Sequence, residues 1–244
     1  MLNILIPLAG ATPFFDSGEY PFPKPLIDIR GRPMVEHLIN NLETIKTEKR
    51  FIFLLRDEDC TRFHLDQTVR LLAGSDTVIL KIKGETKGAV CSALLAIDYI
   101  NNDEPLLVSN GDQIFEQGLP ERVLDLFSEN IDGGCIVFES VHPRWSYIRV
   151  DDADNIIEAS EKRPISKKAI AGIYMFRRGS DFVIGAKEAI RKDVNVGGVY
   201  YISAVLNELI LINRTLCAVS IPNADYFTFY SPQKIAEYED HVRP

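Results

Sequence analysis

An α/β fold with a mostly parallel central sheet and helices on both faces is predicted by three features of the sequence. Short apolar runs of strand length alternate with amphipathic stretches of helical period over the first 140 residues. The apolar runs read as buried strands, the pattern of a sheet covered on both sides. The 244 residues contain no repeat, low-complexity tract or flexible linker, and 46% are hydrophobic, so the chain can bury one large core.

The elements follow in order. NILIPLA (3–9) is a buried strand, and PMVEHLINNLET (33–44) a helix with proline in its first turn. RFIFLLR (50–56) is the second strand, followed by LDQTVRLLAG (65–74), a helix closed by glycine. TVILKIK (77–83) is the third strand, and GAVCSALLAIDYI (88–100) a helix with one apolar face. PLLVSNGD (105–112) is the fourth strand, ending in a turn of Asn110, Gly111 and Asp112. A helix over 119–130 and a strand over 133–140 complete the alternation, which implies parallel pairing through helical crossovers. After residue 140 the rhythm changes. Residues 147–162 read as a hairpin around DDADN, 169–176 as a strand, 179–192 and 200–213 as helices, and 217–222 as a last strand. A single domain over 1–244 is expected, divided into halves at 140.

Composition narrows the function classes. Acidic residues outnumber basic ones, 35 to 27, and no basic stripe offers a surface to nucleic acid. Cys60, Cys91, Cys135 and Cys217 lie in or beside apolar stretches without C-x-x-C spacing, so free buried thiols are expected. No apolar run reaches membrane-spanning length and no leader pattern precedes the first strand, which points to the cytoplasm. In open α/β sheets ligands bind beyond the carboxyl ends of the strands. The loops 9–24, 84–88 and 109–113 leave such ends and should meet.

Several of these segments carry a family likeness. IPLAG (6–10), PFPKPLIDIRGRPMVEHLI (21–39), GETKGAVCSALLAI (84–97), LLVSNGDQIF (106–115), HPRWSYIRV (142–150), EKRPISKKAIAGIYMF (161–176) and VGGVYYISAVLNEL (196–209) stand in order along almost the whole chain. In this the chain resembles the sugar-phosphate nucleotidyltransferases, or pyrophosphorylases, and most of all their short single-domain members from bacterial capsule and surface-polysaccharide loci. The resemblance implies a Rossmann-like nucleotidyltransferase fold, shared with GT-A glycosyltransferases. It implies transfer of NMP from a nucleoside triphosphate to a sugar phosphate or similar phosphorylated metabolite, with release of pyrophosphate and use of Mg²⁺. Residues 1–140 become the nucleotide-binding half and 141–244 the acceptor-binding half.

Carried onto this chain, the likeness makes Lys24 and Lys162 the catalytic cations and Asp112 the metal ligand. It places Leu8, Ala9, Gly10, Lys24, Thr86, Gly88, Asn110 and Gly111 at the nucleotide, and Trp145, Glu161, Lys162 and Gly172 at the acceptor. The residues allow plainer readings beside these. Lys24 lies between two prolines that stiffen its backbone and aim it, or it is a solvated lysine in a proline-rich loop. Asp112 can hold Mg²⁺ against phosphate oxygens, or it simply completes an Asn-Gly-Asp turn. Lys162 follows Glu161 at a strand end, where an ordinary ion pair is the alternative. Gly88 opens a helix, where glycine needs no function, and Trp145 is equally a packing residue. Asp151–Asp154 imitates a D-x-D metal motif but falls at the tip of the predicted hairpin, as a solvated turn.

The pattern also breaks. Where the family's phosphate loop reads approximately A-G-x-G-x-R, this chain reads Ala9-Gly10-Ala11-Thr12-Pro13-Phe14. Thr12 restricts the backbone, Pro13 lacks an amide donor, and Phe14 replaces a guanidinium fork suited to phosphate. Asp16 and Glu19 add negative charge, and Val199 stands where the family often carries an acid near the metal. Two other functions are therefore kept: a nucleotide- or nucleotide-sugar-binding homologue with little catalysis, and a GT-A-type glycosyltransferase.

Overall fold

The computed structural model describes residues 1–10, 12, 14–15, 20–115, 119–124 and 131–242. Ala11, Pro13, Asp16 and Glu19 of the phosphate loop, and 125–130 of the helix expected over 119–130, lie outside the described residues.

The first half alternates as its periodicity dictates. Strand β1 (Leu2–Pro7) leads through a 3₁₀ turn (Lys24–Leu26) and a short ribbon of β2 (Asp28–Ile29) and β3 (Arg32–Pro33) into helix α1 (Met34–Glu43). Strand β4 (Lys49–Arg56), helices α2 (Asp57–Phe63) and α3 (Leu65–Ala73), and strand β5 (Val78–Ile82) follow. Helices α4 (Ala89–Leu94) and α5 (Ile97–Ile100) precede strand β6 (Leu106–Ser109), then β7 (Gln113–Phe115), α6 (Leu119–Leu124) and β8 (Gly133–Glu139). The second half contains β9 (Ser146–Val150), β10 (Ile156–Glu161), β11 (Lys168–Phe176), α7 (Gly179–Arg191), α8 (Ser203–Leu211), β12 (Leu216–Ser220), β13 (Tyr226–Thr228) and α9 (Pro232–His241).

Strands β5, β4, β1 and β6 pair in parallel, each returning through helices. Strand β11 then enters antiparallel to β6 and also pairs β8 and β9, so one sheet runs through both halves. Side-chain alternation along the strands feeds two cores. Leu2, Ile4 and Ile6 of β1 and Phe51, Phe53 and Leu55 of β4 pack against α1 and α3. Leu5, Ile52 and Leu54 point the other way, toward α4, α7 and α8. That two-sided burial explains why these strands read as unbroken apolar runs. All four cysteines are free thiols, three of them buried.

Strands β2, β3 and β7 were not expected, and β8, read as extending the parallel alternation, instead pairs β11 antiparallel and β12 in parallel. Three further features depart from the sequence reading. The helix expected over 88–100 is two helices, because the chain tightens to i→i−3 bonds at Leu95 and Ala96. Helix α2 was not expected: its seven residues are too short and polar to show a period, although three acids favour its N-terminus. Residues after 222 also fold back. Strand β13 pairs β7, and α9 opens on Ser231 and Pro232, with the Ser231 hydroxyl accepting from the Lys234 amide at 3.4 Å. A third apolar cluster joins this C-terminal segment to the phosphate loop through Phe15, Ile29, Met34, Ile114, Phe229 and Ile235.

Candidate active site

A cleft of about 450 Å³ opens beyond the carboxyl ends of β1 and β6. Leu8, Gly10 and Thr12 form one wall, Lys24 and Asn110–Asp112 its floor, and Arg144–Ser146, Glu161, Gly172 and Tyr201 the opposite side. Two of the three loops predicted to converge line it directly; from the third only the adjoining Ala89 reaches the wall.

Lys24 is set by its neighbours. Pro23 holds an extended backbone, and a 3₁₀ turn starts at Lys24, whose carbonyl accepts from Ile27 at 3.1 Å. The ammonium lies 5.4 Å from the centre of the buried Phe15 ring and donates to Asp112 Oδ2 at 2.5 Å. The lysine side chain is 13% exposed and the aspartate 26%, so the pair stands at the cleft floor rather than in bulk water. The turn bearing Asp112 is fixed from two sides. The Phe229 amide donates to the Asp112 carbonyl at 2.7 Å, and the Asn110 amide donates to the Gly172 carbonyl at 2.8 Å. Gly172 sits at φ +72° in an irregular stretch of β11, where a Cβ would lie 2.4 Å from both Asn110 Nδ2 and Gln113 Oε1. Its bare backbone lets β11 pass directly beneath the turn.

Across the cleft, Glu161 ends β10 and accepts hydrogen bonds from the Ser146 and Ser203 hydroxyls, the latter at 2.8 Å. Burial raises its carboxyl pKa above the usual value, while the two hydroxyls and the Lys162 charge pull it back. A carboxyl raised in the folded state stabilises fully below its unfolded pKa of 4.5, and that contribution is lost as pH rises through the folded value. Glu161→Gln is therefore expected to melt higher than the wild type at about pH 7.5, with the gain fading toward about pH 4.5. Melting curves of the two proteins across that range test this; an offset independent of pH contradicts it.

Lys162 does not reach the cavity. Its backbone takes φ +54°, its amide donates to the Trp145 carbonyl, and its ammonium donates to the Tyr201 hydroxyl at 2.7 Å. Tyr201 thus stands between this lysine and the cleft. The structure does not bring Lys24, Asp112 and Lys162 to one point: the first two touch, and the third waits at the rim.

The remaining predicted residues divide similarly. Leu8, Gly10, Asn110, Gly111, Trp145 and Gly172 line the cleft. Ala9 packs against the core. Thr86 turns inward, its hydroxyl 3.2 Å from the Gly88 carbonyl and 2.6 Å from Ser92 Oγ. Gly88, at φ +109°, has its close neighbour in the chain itself: a Cβ there would lie 2.5 Å from the Tyr200 carbonyl. The likeness places that glycine at the nucleotide; in the structure its bare backbone also seats the 196–201 segment on α4. Val199 lies beside it, in the same contact. Phe14 is 53% exposed and meets the edge of Tyr230. Asp151 accepts from the Ala153 and Asn155 amides, both at 2.9 Å, so the D-x-D imitation is a hydrogen-bonded turn.

Among the described residues no three histidine, cysteine or acidic groups gather to hold a metal. Mg²⁺ commonly binds through one or two carboxylates together with substrate phosphates. Asp112, at the cleft floor, fits that mode and no all-protein cage. Sequence reasoning missed Arg144, Tyr201, Ser146 and Ser203. Arg144 follows a proline and precedes the single tryptophan, but nothing in its local pattern shows where its side chain goes.

No family model matches. The chain is 24% identical over 204 residues to the UTP–glucose-1-phosphate uridylyltransferase AglF of Haloferax volcanii, covering 82% of this chain and 79% of that one. It is 31% identical over 157 residues to the bifunctional protein GlmU of Methanocaldococcus jannaschii, covering 63% of this chain and 35% of the relative. The chain thus spans about a third of that longer protein's length. Among solved structures, a nucleoside-diphosphate-sugar pyrophosphorylase from Vibrio cholerae superposes with a TM-score of 0.83 at 21% identity, over 98% of this chain and 100% of the other. This is the nucleotidyltransferase fold. A UDP-glucose pyrophosphorylase complexed with UDP-glucose follows at 0.76 and 14% identity, over 98% and 97%. In sequence the chain is similar to these nucleotidyltransferases over part of their length, and in fold it matches the solved pyrophosphorylases.

Proposed function

We propose that this protein is a nucleotidyltransferase, moving NMP from a nucleoside triphosphate to a phosphorylated small molecule, a sugar phosphate in the first instance, with release of pyrophosphate. The Lys24–Asp112 pair at the floor of the strand-end cleft carries the reading. An acceptor phosphate oxygen attacks the α-phosphorus, a bond forms there, and the bond to the bridging oxygen of pyrophosphate breaks. Such a step asks the protein for position and charge rather than covalent help.

Lys24 is aimed by its prolines and stacked over Phe15, so its ammonium arrives pre-ordered; when phosphate enters, it exchanges part of its contact with Asp112 for the anion. Asp112 would hold Mg²⁺, which when bound offsets negative charge on the phosphates. Leu8 and Gly10 offer backbone and apolar surface to the nucleoside, while Glu161 and Trp145 face the acceptor. Lys162 serves from the rim through Tyr201. The likeness to AglF and to UDP-glucose-binding relatives supports a uridine nucleotide and glucose 1-phosphate as first substrates to try. The test is pyrophosphate release with each common triphosphate, Mg²⁺ and a panel of sugar phosphates. Release dependent on both substrates is expected; none above a Lys24→Ala control overturns the reading.

A second reading, a nucleotide- or nucleotide-sugar-binding protein with little turnover, is favoured by one observation. Lys24 is engaged with the carboxylate proposed for the metal, and Phe14 supplies no donor to replace it. Calorimetric binding of a triphosphate without turnover distinguishes the two.

A further inference from the structure

We propose that Arg144 is the guanidinium of this cleft, the group that receives the anionic end of the acceptor, and that the acceptor is therefore recognised as a phosphomonoester from the β8–β9 side. The proposal takes from the nucleotidyl-transfer reading only that an anionic acceptor enters this cleft.

Arg144 stands in the connection between β8 and β9, at the wall between the cavity of Lys24, Asp112 and Glu161 and a neighbouring one lined by Tyr230. Its guanidinium lies 3.4 Å from the centre of the Tyr230 ring and 5.7 Å from that of Trp145. The Tyr230 ring thus carries the group, with the Trp145 ring, set at 81° to it, alongside. A guanidinium stacked in this way keeps its donors for a partner in its own plane. Among the described residues its side chain makes no hydrogen bond or ion pair. Lys24, by contrast, is engaged with Asp112, and Lys162 with Tyr201 outside the cavity. Arg144 is the uncommitted positive charge in the lining.

The aromatic clamp also joins the altered phosphate loop. Tyr230, under Arg144, is the ring that Phe14 meets at 6.2 Å between centroids. The loop position that lost a guanidinium therefore helps to build the wall on which another guanidinium rests. A carboxylate-sized or phosphate-sized anion suits a guanidinium fork, and the cleft already contains an acceptor for a sugar hydroxyl in Glu161. A phosphomonoester on a polyhydroxylated body fits both groups.

The test is calorimetric titration of the wild type, Arg144→Ala, Arg144→Lys and Arg144→Gln with glucose 1-phosphate, with inorganic phosphate and, separately, with Mg-UTP. Arg144→Ala is expected to weaken the two monophosphate probes by about tenfold to a hundredfold, with Mg-UTP held within about twofold. Arg144→Lys should recover only part, because an ammonium lacks both the fork and the flat face. Arg144→Gln keeps a planar group against Tyr230, so it reports loss of charge if the alanine variant folds poorly. Monophosphate binding unchanged in Arg144→Ala and Arg144→Gln, equal losses for Mg-UTP, or a wild type that binds neither monophosphate would each overturn the proposal. Arg144-dependent phosphate binding without turnover would sink the catalytic reading and leave this one standing. Turnover with an unchanged acceptor KM in Arg144→Ala would do the reverse.

Discussion

Replacing Lys24 with alanine is expected to slow nucleotidyl transfer by about 10²–10³-fold while leaving the fold intact. Removing one donor aimed at transition-state charge in a preorganised site typically costs that much. The structural cost is small for a definite reason. Asp112 is 26% exposed, so a carboxylate deprived of its partner can be hydrated rather than stranded, and a partly exposed ion pair contributes about 0–1 kcal/mol. The Phe15 ring that the ammonium covers is anchored in the third apolar cluster by other contacts. Rate and melting temperature should therefore separate: a large fall in turnover beside a shift of a few degrees at most. Lys162→Ala should have the milder effect, because its ammonium acts from outside the cavity. Steady-state kinetics and melting curves on the two variants check both statements, and equal losses at the two lysines would contradict the distinct positions proposed for them.

Gly172→Ala is expected to lose about 2–6 kcal/mol of stability, from left-handed strain of about 1–3 kcal/mol and local overpacking of similar size. The added methyl would meet Asn110 and Gln113 at 2.4 Å. Asn110 could swing outward. Gln113 cannot do so cheaply, because it is buried and its Oε1 accepts from the Tyr226 hydroxyl at 3.2 Å. Relief must then come from the backbone, by moving β11 away from the turn that presents Asp112. Chemical denaturation measures the loss, and residual turnover per folded molecule should fall with it. A variant as stable as wild type would show that the irregularity in β11 is not held by this contact.

The first half of the fold was legible because β1, β4 and β6 are buried on both faces and the longer helices on one, which writes two different periods into the sequence. Short polar α2 and the returning segment after residue 222 carried no such signal. For α9 a usable one existed in Ser231-Pro232, an N-cap followed by proline at the first helical position. Lys24 and Asp112 were legible through the family likeness, with two prolines and a strand end as local support, and the structure places them in contact. Lys162 shows the limit. Its residue type and its place after Glu161 gave no hint that a left-handed backbone turns it toward Tyr201. Gly88 shows another: a glycine required by close approach looks the same in sequence whether a ligand or the chain itself approaches. Arg144 depends on Tyr230, a residue from the far C-terminal segment, so no local pattern could have assigned it.

Isotope placement decides whether the acceptor phosphate attacks the α-phosphorus. The protein, Mg²⁺ and each common nucleoside triphosphate are incubated with sugar phosphates whose phosphate oxygens carry ¹⁸O, and the products are weighed by mass spectrometry. Attack of the acceptor phosphate on the α-phosphorus predicts a nucleoside-diphosphate product holding all of the acceptor's label, unlabelled pyrophosphate, and neither product from Lys24→Ala above background. Label appearing in pyrophosphate, or triphosphates consumed to mononucleotide with no labelled conjugate, would contradict it.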